Sequence, residues 1–171
     1  MDAEFLVRPF RAGDQVAVEA LVLGVQRDEF GLALDAQNQP DLADVARFFR
    51  LDAPDNGGSG FWVAEAYRAP SPLVGCIGLE VVQGNVGVMR KFMVHADWRG
   101  SVKGVAVALY TAFDGRAKAL GLSALALSTV SSTQAAQRFY ERHGYHRVMI
   151  ADLPPGFRPG VLDTVFYLKP L

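Results

Sequence analysis

The sequence has one cysteine, Cys76, so no internal disulfide can form and no CxxC pair is present to grip a metal. That thiol stands inside the apolar run PLVGCIGLEVV, where a free cysteine is ordinarily buried. Long hydrophobic runs are missing as well. Charges or polar turns interrupt each run before it reaches the length of a membrane span, and MDAEFLVRPF has no basic segment leading into an apolar one. A cytoplasmic protein with no membrane partner is expected. Neither sign of charge dominates: 17 Lys and Arg against 18 Asp and Glu leave a net charge of -1. No basic stripe gathers, which argues against nucleic acid as a partner.

Repeats and low-complexity tracts are also lacking. What is present is 171 residues, 50% hydrophobic and 20% charged, enough for one substantial core and short for two, so a single domain over 1–171 is expected. Residues 5–10 read as a strand. Asp14 is placed to cap a helix carrying Ala17, Leu21 and Val25 on one face. After a loop over 31–40, Asp41 opens a short second helix with Leu42, Val45, Phe48 and Phe49 on one face. NGGSG (56–60) marks a turn, and 61–67 and 72–83 have strand composition around a proline-containing turn, which predicts a hairpin.

A third strand is expected over 86–94, then a helix over about 103–120 with Val105, Leu109, Ala112 and Phe113 inward. A strand over 122–130 and a helix over 133–143 follow, ended by Gly144. Strands over 145–150 and 163–168 close the chain around the proline-rich loop 151–162. This order predicts a mixed α/β (α+β) layer fold with about seven strands and roughly four helices. The informative passage runs from strand 86–94 through a glycine-bearing turn into the helix. A helix N-terminus offers unpaired N–H groups and partial positive charge, which together suit a phosphate.

The segment MRKFMVHADWRGSVKGVAVALY resembles motif A of the GNAT superfamily, the general-control-type N-acetyltransferases. The resemblance rests on Phe92, Met93 and Val94 ending a strand, on Arg99-Gly100, and on Gly104-Val105-Ala106 opening a helix. Gly100, Ser101, Val102 and Lys103 make this loop about two residues longer than usual, a change that backbone anion binding tolerates. Further along, STQAAQRFYERHGYHRV looks like GNAT motif B, with Thr133, Ala136, Phe139, Tyr140, Glu141, Gly144 and Tyr145 in place. Thr133 stands where the family usually has asparagine; it could still cap the helix and bond the cofactor.

The resemblance implies a GNAT-like sheet splayed between its fourth and fifth strands. Acetyl-CoA would be the acyl donor, its pantetheine along Phe92, Met93 and Val94 and its pyrophosphate against Arg99 to Ala106. Thr133, Ala136, Phe139 and Tyr140 would complete the cofactor side. Tyr140 would face the thioester sulfur and could protonate the departing thiolate.

The proton leaving the acceptor is harder to assign. Family offsets for a base land on Val88 and Ser128, and neither is one. Glu80 is the nearest acidic alternative, with His95 and Glu29 behind it, and a water chain remains open. His143 and His146 flank the helix-ending Gly144 and make a poor metal pair, so no metal site is expected. The implied activity is acetyl transfer to a primary amine, small molecule or peptide, in a ternary complex. The acceptor side would be built from loop 31–40, the first two helices and loop 151–162, with Asp28, Glu29 and Asp41 as attractions for a cation. A homodimer stays open. The competing reading is a non-catalytic acyl-CoA sensor with the same fold. A nucleotide-binding protein is excluded, since no GxxxxGK[ST] occurs and the glycines of RGSVKG are wrongly spaced for a dinucleotide fingerprint.

Overall fold

The computed structural model describes residues 4–53, 57–68, 73–83 and 85–171. Residues 69–71 of the expected hairpin turn, Pro72 of the strand expected over 72–83, and Asn56 of the turn at 56–60 lie outside the described residues. The strands are β1 (Phe5–Pro9), β2 (Gly60–Ala66), β3 (Leu73–Val82), β4 (Val86–Val94), β5 (Ala124–Thr129), β6 (His146–Val148) and β7 (Val165–Pro170). They form one mixed sheet in the order β1-β2-β3-β4-β5-β7-β6, antiparallel except where β4 meets β5.

The helices are α1 (Gln15–Leu23), α2 (Pro40–Ala43), α3 (Val45–Phe48), α4 (Val105–Ala119) and α5 (Gln134–Arg142). The single helix expected after Asp41 is therefore two. Asp44, extended at φ -152, breaks it and turns its carboxylate onto the Arg47 N–H to cap the second piece. Leu42, Val45 and Phe49 are buried together as expected, against Val18, Val22, Phe61 and Val63. On the other face of the sheet α4 lays down Val105, Leu109, Phe113 and Ala117, with Tyr110 buried beside them, against Ile77, Leu79 and Leu125. Gly75 permits that approach: a Cβ there would stand 2.7 Å from Leu109 Cδ1 and 3.1 Å from Val105 Cγ1. Cys76 is fully buried, its thiol pushed up to about 12 by that burial.

Asp14 precedes α1 as expected but makes no capping bond to it. Its carboxylate instead takes Arg8 Nη1 and Nη2 at 2.7 and 2.9 Å and the Arg11 N–H at 2.8 Å, while Arg8 Nε reaches Glu65 on β2. The hydrogen bond from Arg8 holds the Asp14 carboxyl below its ordinary 3.8, against the opposing effect of burial. A depressed folded-state value means the contribution is present above about pH 4 and is lost as pH falls through the folded value. Urea unfolding at pH 6 and pH 3 should therefore show an acid-induced loss of stability that shrinks in Asp14→Asn. An undiminished loss would assign the acid sensitivity to other carboxylates.

Candidate active site

The two parallel strands pair only at Val86 with Ala124, Gly87 with Leu125 and Val88 with Ala126. Beyond that point β4 runs on to Val94 and β5 to Thr129 without partnering each other. A bulge bends β4 away. Cys76 pairs with Met93 and Gly78 with Arg90, which leaves Lys91 and Phe92 both opposite Ile77. Lys91 takes a left-handed φ of 48, and the Cys76 thiol donates to its carbonyl at 3.1 Å. For a residue with a side chain this conformation costs about 1–2 kcal/mol. Contacts at the far end of Lys91 hold it in place: Nζ donates to Gln39 Oε1 at 2.7 Å and pairs with Asp41 at 3.1 Å.

The splayed strands open a cleft of about 950 Å³. Met89 to Val94 form one wall and Leu127 to Val130 the other, with Ala136, Phe139 and Tyr140 of α5 between them. The edge of β4 over Phe92, Met93 and Val94 has no partner strand on the side away from β3, where a strand-like ligand could add; the Val94 carbonyl is already taken by Arg99 Nε. The Tyr140 ring is packed by Phe92, Tyr145 and Tyr167. Tyr167 also donates to Glu141 Oε1 at 2.9 Å, which fixes α5 on β7. Among the described residues the Tyr140 hydroxyl has no hydrogen-bond partner, and burial, reinforced by Asp163 and Tyr167, pushes its pKa well up. It is protonated at neutral pH.

In the turn before α4, Gly100 and Gly104 adopt φ of 94 and 72, and Gly104, itself outside the cleft lining, leads into α4. Gly100, Ser101 and Ala106 line the cleft. The first N–H groups of α4 have no intrahelical partner. Val105 is instead buried beneath the helix, and Val102 is almost wholly in solvent. Lys103 lies over the Trp98 ring, 5.1 Å from its centroid, and pairs with Glu4 at 2.8 Å, outside the cleft lining. Arg99 lines the cleft but is engaged. Its Nε donates to the Val94 carbonyl at 2.8 Å and its guanidinium forks onto Glu29, one arm at 2.7 Å. That pairing holds the Glu29 carboxyl below its usual range. Thr133 stands before α5 without a side-chain bond to it; its hydroxyl goes to the Val130 carbonyl at 2.8 Å and to Thr129 at 2.7 Å.

Glu80 is not among the residues lining the cleft; it is paired with Arg90 at 2.8 Å. Arg90 in turn donates to the Arg158 carbonyl at 2.7 Å and lies over the Phe157 ring, so Glu80 and Arg90 together brace the loop before β7. His95 is half exposed beside Asp97, and Asp28 is exposed and outside the lining. His143 stacks on Phe139 at 4.0 Å.

Two groups that the sequence reading left out do line the cleft. Gln26 and Gln39 exchange side-chain amide bonds at 2.8 and 2.9 Å. Their meeting depends on a widened turn over Gly24–Glu29, where Phe30 N–H reaches back five residues to the Val25 carbonyl. The other is Asp163, which accepts the Ser128 hydroxyl at 2.6 Å. Antiparallel pairing of β5 with β7 brings these two together across the sequence, a relation no local pattern signals.

The acetyltransferase (GNAT) family profile matches residues 26–145. The chain belongs to the GNAT acetyltransferase family. It is therefore an acyltransferase, and the splayed sheet is that family's fold. Among solved structures, a GNAT-family acetyltransferase from Staphylococcus aureus Mu50 is 24% identical, with 98% of this chain and 99% of that one covered at a TM-score of 0.87. An acetyltransferase from Streptococcus agalactiae 2603 is 20% identical over 98% and 99%, also at 0.87. The PaiA N-acetyltransferase of Thermoplasma acidophilum, solved in complex with coenzyme A, is 14% identical over 98% and 99% at 0.69. No curated protein sequence matches the chain.

Proposed function

We propose that residues 1–171 act as one cytoplasmic acyltransferase domain that moves the acetyl group of acetyl-CoA to a primary amine by direct transfer in a ternary complex. The observation that carries this reading is the early end of β4–β5 pairing, which leaves a backbone edge leading inward to the protonated Tyr140. Pantetheine amides fit that edge, and the glycine turn before α4 suits a pyrophosphate held by backbone N–H groups. Coenzyme A in the Thermoplasma protein supports the choice of donor. The amine nitrogen attacks the thioester carbonyl carbon, the C–N bond forms and the C–S bond breaks. Tyr140 gives its proton to the leaving sulfur, and the phenolate regains one from the new amide nitrogen.

Free CoA should raise the melting temperature, since a ligand at about 100 times its Kd adds about 2.7 kcal/mol to the folded state. CoA release from acetyl-CoA should then require an amine from a panel of alkylamines, aromatic amines and peptides. No thermal shift at millimolar CoA would remove the donor site. Binding without amine-dependent release would leave the sensor reading in its place.

A further inference from the structure

Among the described residues three carboxylates line the cleft: Glu29, Asp41 and Asp163. Arg99 occupies the first and Lys91 the second. Asp163 is different, because among the described residues it has no cationic partner. Its Oδ2 accepts the Ser128 hydroxyl at 2.6 Å and the Gly160 N–H at 3.0 Å, and its Oδ1 accepts no hydrogen bond from any described residue. The seat is built closely. A Cβ on Gly160 would come within 2.6 Å of Oδ2 and 3.2 Å of Oδ1, and the loop carrying both is held down by Arg90 on the Arg158 carbonyl. Neutral donors thus fix one oxygen and leave the other without a donor, on a residue that lines the same cleft as Tyr140 and acts on its hydroxyl electrostatically.

The geometry points to Asp163 as the group that receives the acceptor's ammonium and takes its first proton, with Ser128 and Gly160 as its positioning residues. This rests on the amine-acetylation reading and narrows the acceptor class. One open carboxylate suits an amine carrying a single ammonium at the reacting end, whose body lies along the apolar walls supplied by Leu32, Leu34, Val161 and Leu162. The ammonium N–H bond breaks toward Oδ1 and the freed lone pair attacks the thioester. The second amine proton travels through Tyr140 to the sulfur, and the Asp163 carboxylic acid returns its proton to solvent. The sum is one amide, one CoA thiol and one released proton.

An alkylamine with a pKa of about 10.4 is neutral in fewer than about one molecule in 10³ at pH 7, whereas an aromatic amine is already neutral. That difference gives a readout that a merely structural role would not move. Asp163→Asn keeps an oxygen for both donors and removes the charge. At pH 7 it should lower kcat/KM for a monoalkylamine by about 10²–10⁴, lower it for an aromatic amine by less than about threefold, and leave acetyl-CoA affinity unchanged. Ser128→Ala, which frees the carboxylate from one of two donors, should show the same split between acceptors at about tenfold. An Asp163→Asn enzyme that keeps its alkylamine rate, or loses both rates equally, overturns the role. If the wild-type protein releases CoA with no amine, the amine-acetylation reading itself fails, and the wild-type control alone reveals it.

Discussion

Tyr140→Phe is expected to lower kcat by about 10²–10⁴ while leaving CoA affinity within about twofold. One oxygen is removed and the ring stays, so its packing against Phe92, Tyr145 and Tyr167 is kept. The hydroxyl has no hydrogen-bond partner among the described residues, so its removal strands no other polar group in the core. Burial and the nearby Asp163 carboxylate keep the phenol protonated, which is the form a general acid must have. The measurement is saturation kinetics beside calorimetric titration of CoA. Equal kcat in the two proteins would take Tyr140 out of the proton path, and a parallel fall in affinity would make it a binding residue.

The second large effect is expected at the mouth of the cleft. Gly104→Val should weaken CoA binding by about 10–100-fold, and Lys103→Ala by less than about threefold. A Cβ at Gly104 would meet no protein atom within 4 Å, so the folded chain has room for it. The difficulty is the φ of 72, which a β-branched residue resists, together with the loss of the bare backbone that the proposed pyrophosphate site uses. Lys103 has its charge already engaged by Glu4 and the Trp98 ring. If titration found Lys103→Ala the more damaging change, the pyrophosphate would be gripped by a side chain that leaves its present partners.

Strand β4 was legible to the residue, because its apolar run is bounded on both sides by polar turns. Helices α4 and α5 lay within about two residues of their expected ends, fixed by glycine at one boundary and apolar periodicity inside. The break at Asp44 was not legible, since an apolar stripe continues through it and only the competing bond from aspartate to Arg47 N–H interrupts the helix. Asp14 and Thr133 illustrate the same competition. Each stands at a helix start, but a distant arginine claims one side chain and a neighbouring carbonyl the other. The motifs had grouped Phe92, Met93, Val94, Ala136, Phe139 and Tyr140, all of which line the cleft. Glu80 and Asp163 were not, because strand pairing and loop bracing decide which acid meets an arginine and which meets the cleft.

The short β4–β5 seam divides the sheet mechanically. On one side β1 to β4 form a leaf bonded along most of its length, and on the other β5, β7 and β6 form a second. Among the described residues, the three pairs at Val86–Val88 and Ala124–Ala126, extended by the Ser123 N–H on the Asn85 carbonyl, join them in the plane of the sheet. Amide hydrogens deep in each leaf should therefore exchange slowly, while those along the inner edge past Val88 exchange as though at the rim of a sheet. Anything that bonds both edges at once would act as a missing rung, tying the two leaves into one plate.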